Sequence, residues 1–473
     1  MQPLEFSLVL AGTLGTVLLL ALSARKTKWL IFLPLILCAL AGTQLYVEGY
    51  RWHMLAAYIG IALIIAVIVF SSRLTSRLLR ILAVFSFLCF AASTVAASSF
   101  PIFEFPALTG RYQVGTVTLE FEQGQPVASN STGEPARRQL VVQMFYPAEP
   151  SAEDQRSTYT LAGLATRFKP QLAKVRTRSV VNAKIARSEQ RYPIIIYSHS
   201  FNGNRLEDLF LVQDLASHGY VVACVDDPYD TPITVWADGT VLRHPGDHWL
   251  DVSSPRTLQE TLPRLKHSLA VRVGDASFVL DQLIRLNAND IYSKFYGRLD
   301  MDRAGIIGFS FGGTTAAQAC RTDQRFRAGV DLDGYSFAIA DADSIPQPFL
   351  ILAEGTAPDE AAAARTPEQH AEANFDLIEY RQMMQSYTGY LLTIKGTQHL
   401  NFSDFPLYSR LRFYTEAGPI DPRRAMSIIN SYVVSFFNKN LLGKAAPLLE
   451  GPTTAFPEVE FVLRQRTATA SNQ

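Results

Sequence analysis

Hydrophobic positions are distributed very unevenly along this chain. The first hundred residues contain four apolar stretches without a charged residue: Phe6–Ser23, Leu30–Val47, Met54–Phe70 and Ile81–Ser99. Each stretch is close to the roughly 17–25 residues that a helix needs to cross a bilayer. Four such stretches in a row favour membrane helices over a cleaved signal peptide or the buried helices of a soluble domain. The pattern therefore predicts a four-helix transmembrane region over residues 1–100.

The charges of the short loops predict how these helices are oriented. The loops after the first and third stretches are basic, with Arg25, Lys26, Lys28, Arg73, Arg77 and Arg80. The loop after the second stretch is nearly balanced, with Glu48, Arg51 and His53. We expect a multi-pass protein, in a bacterial plasma membrane. Because basic loops stay in the cytoplasm, its N-terminus and everything after Ser99 are expected outside the cytoplasm.

A different pattern follows a proline- and glycine-containing linker at residues 101–111. Two strands are predicted first, YQVGTVTLEF and QLVVQMFYP, and from Pro193 short apolar runs alternate with helical patterns. Continuous apolar strands between helices are typical of a parallel sheet covered on both faces. We expect one α/β domain over residues 112–450 and a C-terminal tail over residues 451–473. Polar insertions are expected at residues 231–268 and 356–375.

Composition narrows the possible partners. Basic and acidic residues both number 43, so nothing indicates nucleic acid or another polyanion. The sequence contains no CxxC and no zinc-ligand spacing, and Pro245 and Gly246 argue against a helical metal pair of His244 and His248. No cofactor or metal is therefore expected, and no oligomeric state is predicted. Cys224 and Cys320 could form a disulfide outside the cytoplasm, although two separately buried thiols are favoured.

The strongest chemical signal is the stretch IIGFSFGG at residues 306–313. Gly308, Ser310 and Gly312 fit the G-x-S-x-G pattern, in which a sharp strand-to-helix turn pushes the serine hydroxyl out of the sheet. A tight turn with an incidental serine is the alternative, but the apolar strand before it and the small-residue helix after it favour the catalytic interpretation. We predict Ser310 as a nucleophile and the N–H of Phe311 as one oxyanion donor.

The base and the acid follow the serine in the chain order of this motif. Only His370 and His399 follow Ser310. His370 lies in a polar insertion, whereas His399 comes directly after the predicted strand YLLTIKG, so His399 is predicted as the base. Two acids stand at strand ends between serine and histidine, Asp333 and Glu354, and the strand pattern does not choose between them.

The second oxyanion donor is expected in the loop HSFNGN, which follows the predicted strand IIIYS. Phe201 is the preferred donor, with Ser200 next. His199 precedes the serine in the chain, so we expect it to have a structural role in the loop. Phe201, Phe309 and Phe311 would surround the nucleophile with bulky rings and favour short acyl chains.

These pieces resemble the platelet-activating-factor acetylhydrolases of the plasma and intracellular type II kind, over roughly residues 110–440. The segments that carry the resemblance are FYPAE, YPIIIYSHSFNGN, DLASHGYVVACVD, IGFSFGGTTAAQA, DQRFRAGVDLDGY and GTQHLNFSDF. The resemblance implies the α/β-hydrolase fold and places the catalytic acid at Asp333, in Leu-Asp-x-aromatic, rather than at Glu354. It implies calcium-independent hydrolysis of short or oxidised sn-2 acyl groups of phospholipids. This chain has Phe309 where the family usually has His, and Ser200 where it usually has Gly.

The sequence therefore predicts a membrane-anchored serine esterase that acts on a lipid or another ester. An esterase of polyesters or of acyl groups on the cell surface is an alternative. A non-catalytic sensor that keeps the α/β-hydrolase fold is another, although the three triad residues and both elbow glycines argue against it.

Overall fold

The computed structural model describes residues 1–22, 28–128, 135–151, 154–159, 170–188, 190–228, 231, 233–243, 258–289, 293–334, 345–355 and 389–464. His244, His248, His370 and the insertion expected at 356–375 lie outside these residues. The chain divides into two compact units. The first contains Met1–Phe103 and two short later segments, one of them Tyr408–Tyr414. The second contains most of the remaining chain.

Four apolar helices form the first unit: α1 (Pro3–Ala21), α2 (Phe32–Val47), α3 (Leu55–Val69) and α4 (Ser76–Ser99). Among the described residues, three helical segments are long and apolar enough to cross a membrane: Pro3–Ala21, Trp52–Val69 and Ser76–Ser99. Helix α2 is shorter, because its 16 residues at a rise of about 1.5 Å each span about 24 Å. The prediction of four membrane-spanning helices is therefore corrected to three, with a fourth apolar helix that is shorter.

A buried polar cluster joins one end of this bundle. Arg51 Nη1 donates to Glu5 Oε2 over 2.8 Å, and Arg51 Nη2 donates to the Phe100 carbonyl over 2.9 Å. Glu48 accepts hydrogen bonds from the backbone N–H groups of Leu4 and Glu5. The start of α1, the α2–α3 connection and the residue after α4 therefore meet at the same end of the bundle, so α2 returns the chain along α1.

The second unit contains fourteen strands in the described part of the chain: β1 (Gln113–Ala128), β2 (Pro135–Glu149), β3 (Arg156–Thr158), β4 (Arg176–Val181), β5 (Lys184–Ile185), β6 (Tyr192–Ser198), β7 (Val221–Asp226), β8 (Ile233–Val235), β9 (Val241–Arg243), β10 (Leu299–Phe309), β11 (Phe326–Leu332), β12 (Phe349–Gly355), β13 (Gly389–Lys395) and β14 (Val459–Arg464). The later helices are α5 (Leu209–Ser217), α6 (Leu258–Asn289), α7 (Phe311–Thr322), α8 (Arg412–Thr415) and α9 (Pro422–Leu442).

Twelve of these strands form one mixed sheet in the order β14-β13-β12-β11-β10-β6-β7-β2-β1-β4-β3, with β5 beside β2. The six strands from β13 to β7 pair in parallel, and antiparallel strands extend the sheet on both sides. Strand β14 lies in the stretch predicted as a C-terminal tail and pairs with β13. The mostly parallel centre matches the predicted class, and it aligns the carboxyl ends of its strands at one edge.

Helices cover both faces of the parallel centre, as the continuous apolar strands predict. Ile306 of β10 packs in the buried cluster that contains apolar residues of α6 and α7. The neighbouring Gly305 faces the other way, where a Cβ would lie 2.7 Å from the Phe437 ring of α9. The insertion predicted at 231–268 is wrong in its second half, since residues 258–268 form the beginning of α6. Residues 233–243 in its first half include the hairpin of β8 and β9.

Candidate active site

Ser310 lies on a strained turn between β10 and α7, with φ 55° and ψ −121°. A residue other than glycine rarely adopts a positive φ, so the surrounding structure must hold the backbone of this turn in place. A Cβ on Gly308 would lie 2.1 Å from the Gly312 carbonyl oxygen, and one on Gly312 would lie 2.0 Å from the Ser198 carbonyl oxygen. Both elbow positions therefore require glycine, and the turn packs directly against the end of β6.

His399 lies between Ser310 and Asp333. Its Nε2 is 3.0 Å from Ser310 Oγ, and its Nδ1 is 2.7 Å from Asp333 Oδ2. Ser310 follows β10, Asp333 follows β11 and His399 follows β13 after a short turn, so all three stand at the carboxyl edge of the sheet. Of the two acids that the strand pattern left open, the structure brings Asp333 to the histidine.

The surroundings of His399 shift its proton affinity. Burial lowers the pKa of His399, but the hydrogen bond and negative charge of Asp333 outweigh burial and raise the pKa above its usual value. The carboxylates of Glu354 and Glu207 act in the same direction. With Nδ1–H donating to Asp333, the neutral ring presents Nε2 as an acceptor for the Ser310 hydroxyl. The arrangement can accept a proton from that hydroxyl.

The two predicted oxyanion residues are neighbours. The rings of Phe201 and Phe311 meet edge to face, with centroids 6.2 Å apart. Phe311 is the first residue of α7, where a backbone N–H has no acceptor within the helix. The N–H of Ser200, the second choice of donor, is hydrogen-bonded to Glu207 Oε1. The role of Phe201 as the donor of this loop stays a prediction.

The loop between β6 and α5 is anchored by buried ionic groups. His199 is the first residue of this loop, with Nδ1 2.6 Å from the Ser200 carbonyl oxygen and Nε2 3.4 Å from Asp227 Oδ2. At the far end of the loop, Arg205 pairs with Asp226 at the end of β7. His199 thus contacts the loop backbone, in keeping with the structural role expected of it.

Sequence reasoning missed Glu207 and Arg272, which both contact the backbone of this loop. Arg272 Nη1 donates to the His199 carbonyl over 2.6 Å. The side chain of Arg272 is almost completely buried in α6. Neither residue belongs to a recognisable motif, because an acid near a helix start and an arginine within a helix are ordinary surface features. The feature that distinguishes Arg272 is its burial, which the sequence does not show.

Other reactive groups are few in the part of the chain that the structure describes. Cys224 in β7 and Cys320 in α7 are buried free thiols. No group of three or more His, Cys, Asp or Glu side chains that could hold a metal ion occurs among the described residues.

Comparison with known proteins gives a consistent assignment. Residues 97–446, well over half of the chain, match the family described as platelet-activating factor acetylhydrolase, isoform II. The platelet-activating factor acetylhydrolase of Bos taurus is 27% identical over 272 residues, which cover 54% of this chain and 58% of that protein. The probable 1-alkyl-2-acetylglycerophosphocholine esterase of Arthroderma benhamiae is 27% identical over 288 residues, covering 57% and 66%. The chain thus spans less than two thirds of the length of either relative.

One solved structure has a similar fold. The ferulic acid esterase from Streptomyces cinnamoneus superposes with a TM-score of 0.62 at 26% sequence identity, covering 78% of this chain and 100% of that chain. The mixed sheet with its helices is consistent with the predicted α/β-hydrolase fold. Since the family match covers well over half of the chain and includes all three residues of the serine–histidine–aspartate arrangement, the chain belongs to the platelet-activating factor acetylhydrolase, isoform II, family.

Proposed function

We propose that the chain is a membrane-anchored serine esterase that hydrolyses short or oxidised sn-2 acyl groups of phospholipids. The observation that carries the proposal is the hydrogen-bonded series from Ser310 Oγ through His399 to Asp333 Oδ2. The family match and the names of the relatives support the ester substrate. The three long apolar helices support the membrane anchor.

The proposed reaction begins with the Ser310 hydroxyl, which attacks the ester carbonyl while His399 Nε2 takes its proton. Asp333 holds Nδ1–H and stabilises the imidazolium that forms. The N–H groups of Phe201 and Phe311 stabilise the oxyanion. His399 then protonates the leaving alcohol or lysolipid. Water repeats the sequence on the acyl-enzyme and releases the carboxylic acid.

Bulky rings near the nucleophile support a preference for short acyl chains. The Phe309 ring lies 4.9 Å from the His399 ring, and the Phe201 and Phe311 rings stand beside each other. In an open pocket, each methylene of the acyl chain would add about 0.8 kcal/mol of favourable burial free energy. In a closed pocket, the added methylenes would clash with the rings. On p-nitrophenyl esters from acetate to palmitate we expect kcat/KM to fall with chain length and to be insensitive to EDTA. A steady rise with chain length, or a loss in EDTA, contradicts this.

A second candidate is an esterase of non-lipid acyl groups, including those on cell-surface material. It is favoured by the similarity to the ferulic acid esterase structure. A panel that sets phospholipids with short sn-2 chains against feruloyl and simple alkyl esters separates the two. We expect the phospholipids to have the highest kcat/KM, and a clear preference for feruloyl esters would replace the first candidate by the second.

Labelling of the serine tests whether the chain is an enzyme at all. A fluorophosphonate probe should label the wild-type protein at Ser310 and should not label Ser310→Ala. His399→Ala should label far more slowly, because the base that removes the serine proton is missing. An unlabelled wild-type protein that is folded would instead support the non-catalytic sensor.

A further inference from the structure

We infer that Glu207 and Arg272 are positioning residues that hold the two consecutive peptide groups on either side of Ser200 and thereby fix the oxyanion donor of Phe201. The inference rests on the proposed esterase function. It concerns the contacts on Ser200, whose backbone N–H, hydroxyl and carbonyl oxygen all have polar partners.

Glu207 holds the amide side of Ser200. Its Oε1 accepts the Ser200 backbone N–H, and its Oε2 lies 2.7 Å from Ser200 Oγ. The Tyr197 hydroxyl lies 3.1 Å from Glu207 Oε1 and 2.7 Å from Asp208 Oδ2. A Cβ on Gly203 would lie 2.1 Å from Glu207 Oε2, so this glycine makes room for the carboxylate. Both carboxylate oxygens are therefore directed at one residue of the loop.

Arg272 holds the carbonyl side together with His199. Its Nη1 donates to the His199 carbonyl over 2.6 Å, and its Nη2 lies 3.4 Å from the Ser200 carbonyl. His199 Nδ1 lies 2.6 Å from the same carbonyl, and Gly203 N–H donates to it over 3.1 Å. The guanidinium also lies 5.0 Å from the centroid of the Phe311 ring. Arg272 therefore contacts the loop and the residue that carries the other predicted oxyanion donor.

These contacts determine the direction of the next N–H. In a trans peptide, the carbonyl of one residue and the N–H of the following residue point to opposite sides. Because three groups hold the Ser200 carbonyl on one side, Phe201 N–H must point to the other. Rotation of the Ser200–Phe201 peptide would break those bonds. The preceding His199–Ser200 peptide is held by Arg272 at its carbonyl and by Glu207 at its N–H, so Ser200 itself stays in place. The loop also packs against the elbow, since a Cβ on Gly312 would lie 2.8 Å from the His199 carbonyl oxygen.

A fixed donor is what transition-state stabilisation requires, because a donor that must reorient during the reaction loses most of its effect. Burial raises the pKa of Glu207 to about 7, against the opposing effect of its hydrogen bonds from Ser200 and Tyr197 and the charge of Arg272. The neutral form is therefore accessible near neutrality. An amide of the same length can take its place, whereas a shorter carboxylate cannot reach.

The test compares length with charge. Glu207→Asp keeps the charge but retracts the carboxylate, and Arg272→Lys keeps the charge but loses the fork that reaches two carbonyls. We expect both to lower kcat by ~10- to 100-fold with KM changed by less than ~3-fold, the cost of a misplaced catalytic group. Glu207→Gln should recover most of the loss. Arg285→Lys, on the exposed face of α6, is the matched control and should be indistinguishable from wild type.

A second readout separates positioning from stability. Affinity for a trifluoromethyl ketone that forms a tetrahedral adduct should fall in parallel with kcat/KM, since that adduct uses the oxyanion donors. Folding is checked by thermal unfolding. If Glu207→Asp or Arg272→Lys does not fold, Ser200→Gly takes its place, removes only the hydroxyl contact and should lower kcat several-fold.

The outcomes distinguish this inference from the proposed function. Folded Glu207→Asp and Arg272→Lys proteins with wild-type kcat would overturn the inference while leaving the esterase intact, as would Ser200→Gly with wild-type kcat. Glu207→Gln as impaired as Glu207→Asp would contradict positioning by reach, because the amide keeps the length of the side chain. A wild-type protein that neither hydrolyses esters nor reacts with fluorophosphonate would overturn the proposed function itself.

Discussion

The backbone N–H of Glu354 donates a hydrogen bond of 2.7 Å to Asp333 Oδ1, while Asp333 Oδ2 lies 2.7 Å from His399 Nδ1. One carboxylate is thus oriented by the neighbouring strand and faces the histidine with its other oxygen. Asp333 has φ 53°, so its backbone is also held in an unusual conformation at the end of β11. Glu354 supports the aspartate through its backbone, which a change of its side chain leaves in place.

We predict very different effects for the two acids. Asp333→Asn should lower kcat by up to ~10⁴-fold, because an amide favours the wrong histidine tautomer and cannot stabilise the imidazolium. Glu354→Gln should lower kcat by less than ~10-fold, since it removes only a more distant charge. Steady-state kinetics on a short-chain p-nitrophenyl ester measure both. A larger loss for Glu354→Gln would show that the wrong acid has been assigned.

The pH dependence should report the raised pKa of His399. Burial lowers that pKa, and the hydrogen bond and charge of Asp333 raise it by more. Since His399 must be neutral to accept the serine proton, activity is present above its pKa and is lost as pH falls through it. We expect the acidic limb of kcat/KM to lie above the ordinary histidine value of about 6.5.

Removing the charge of the acid should move this limb. In Asp333→Asn, burial still lowers the pKa of His399 but the compensating carboxylate is missing, so the residual activity should titrate at lower pH. Glu354→Gln is the control and should shift the limb only slightly in the same direction. A limb that stays in place in Asp333→Asn would mean that another group controls it.

Two glycines should respond in opposite ways to alanine. Gly312→Ala should destabilise the protein and inactivate it, because the new Cβ would lie 2.0 Å from the Ser198 carbonyl oxygen in the backbone. Gly274→Ala is its control: the position is an exposed one within α6 with no atom within 4 Å of the new Cβ. Gly274→Ala should raise the free energy of unfolding by about 0.5–1 kcal/mol, the ordinary preference of a helix for alanine over glycine. Thermal unfolding compares the two, and an unharmed Gly312→Ala would contradict the close packing of the elbow.

The topology prediction depends on the buried cluster of the bundle. Arg51 bonds both Glu5 and the Phe100 carbonyl, so the N-terminus and the residue after α4 lie at the same end. The basic loops predict that this end lies outside the cytoplasm, with the shorter α2 crossing together with the three longer helices. An alkaline phosphatase reporter fused after Gln473 should therefore be active, and one fused after Arg73 inactive. Protease added to spheroplasts should digest the hydrolase domain. Protection of that domain from the protease would contradict the predicted orientation.

Much of this architecture could be predicted from the sequence because the signals are local. Uncharged apolar stretches mark α1, α3 and α4, and continuous apolar runs between helices mark the parallel centre of the sheet. Ser310 and His399 could be proposed as site residues because glycines and strand ends surround them in the sequence. The short α2 and the beginning of α6 were misjudged, since neither helix length nor the edge of a polar insertion is marked by a sharp change in pattern.

Other features depend on residues that only the folded chain brings together. The strand pattern could not choose between Asp333 and Glu354, because both stand at strand ends and the difference lies in which oxygen faces His399. Glu207 and Arg272 are separated by 65 positions in the chain and meet only where α6 packs beside the loop after β6. Periodicity records which face of an element is buried, whereas contacts between buried polar groups depend on how distant elements pack. The direction of Phe201 N–H is therefore decided by the tertiary structure.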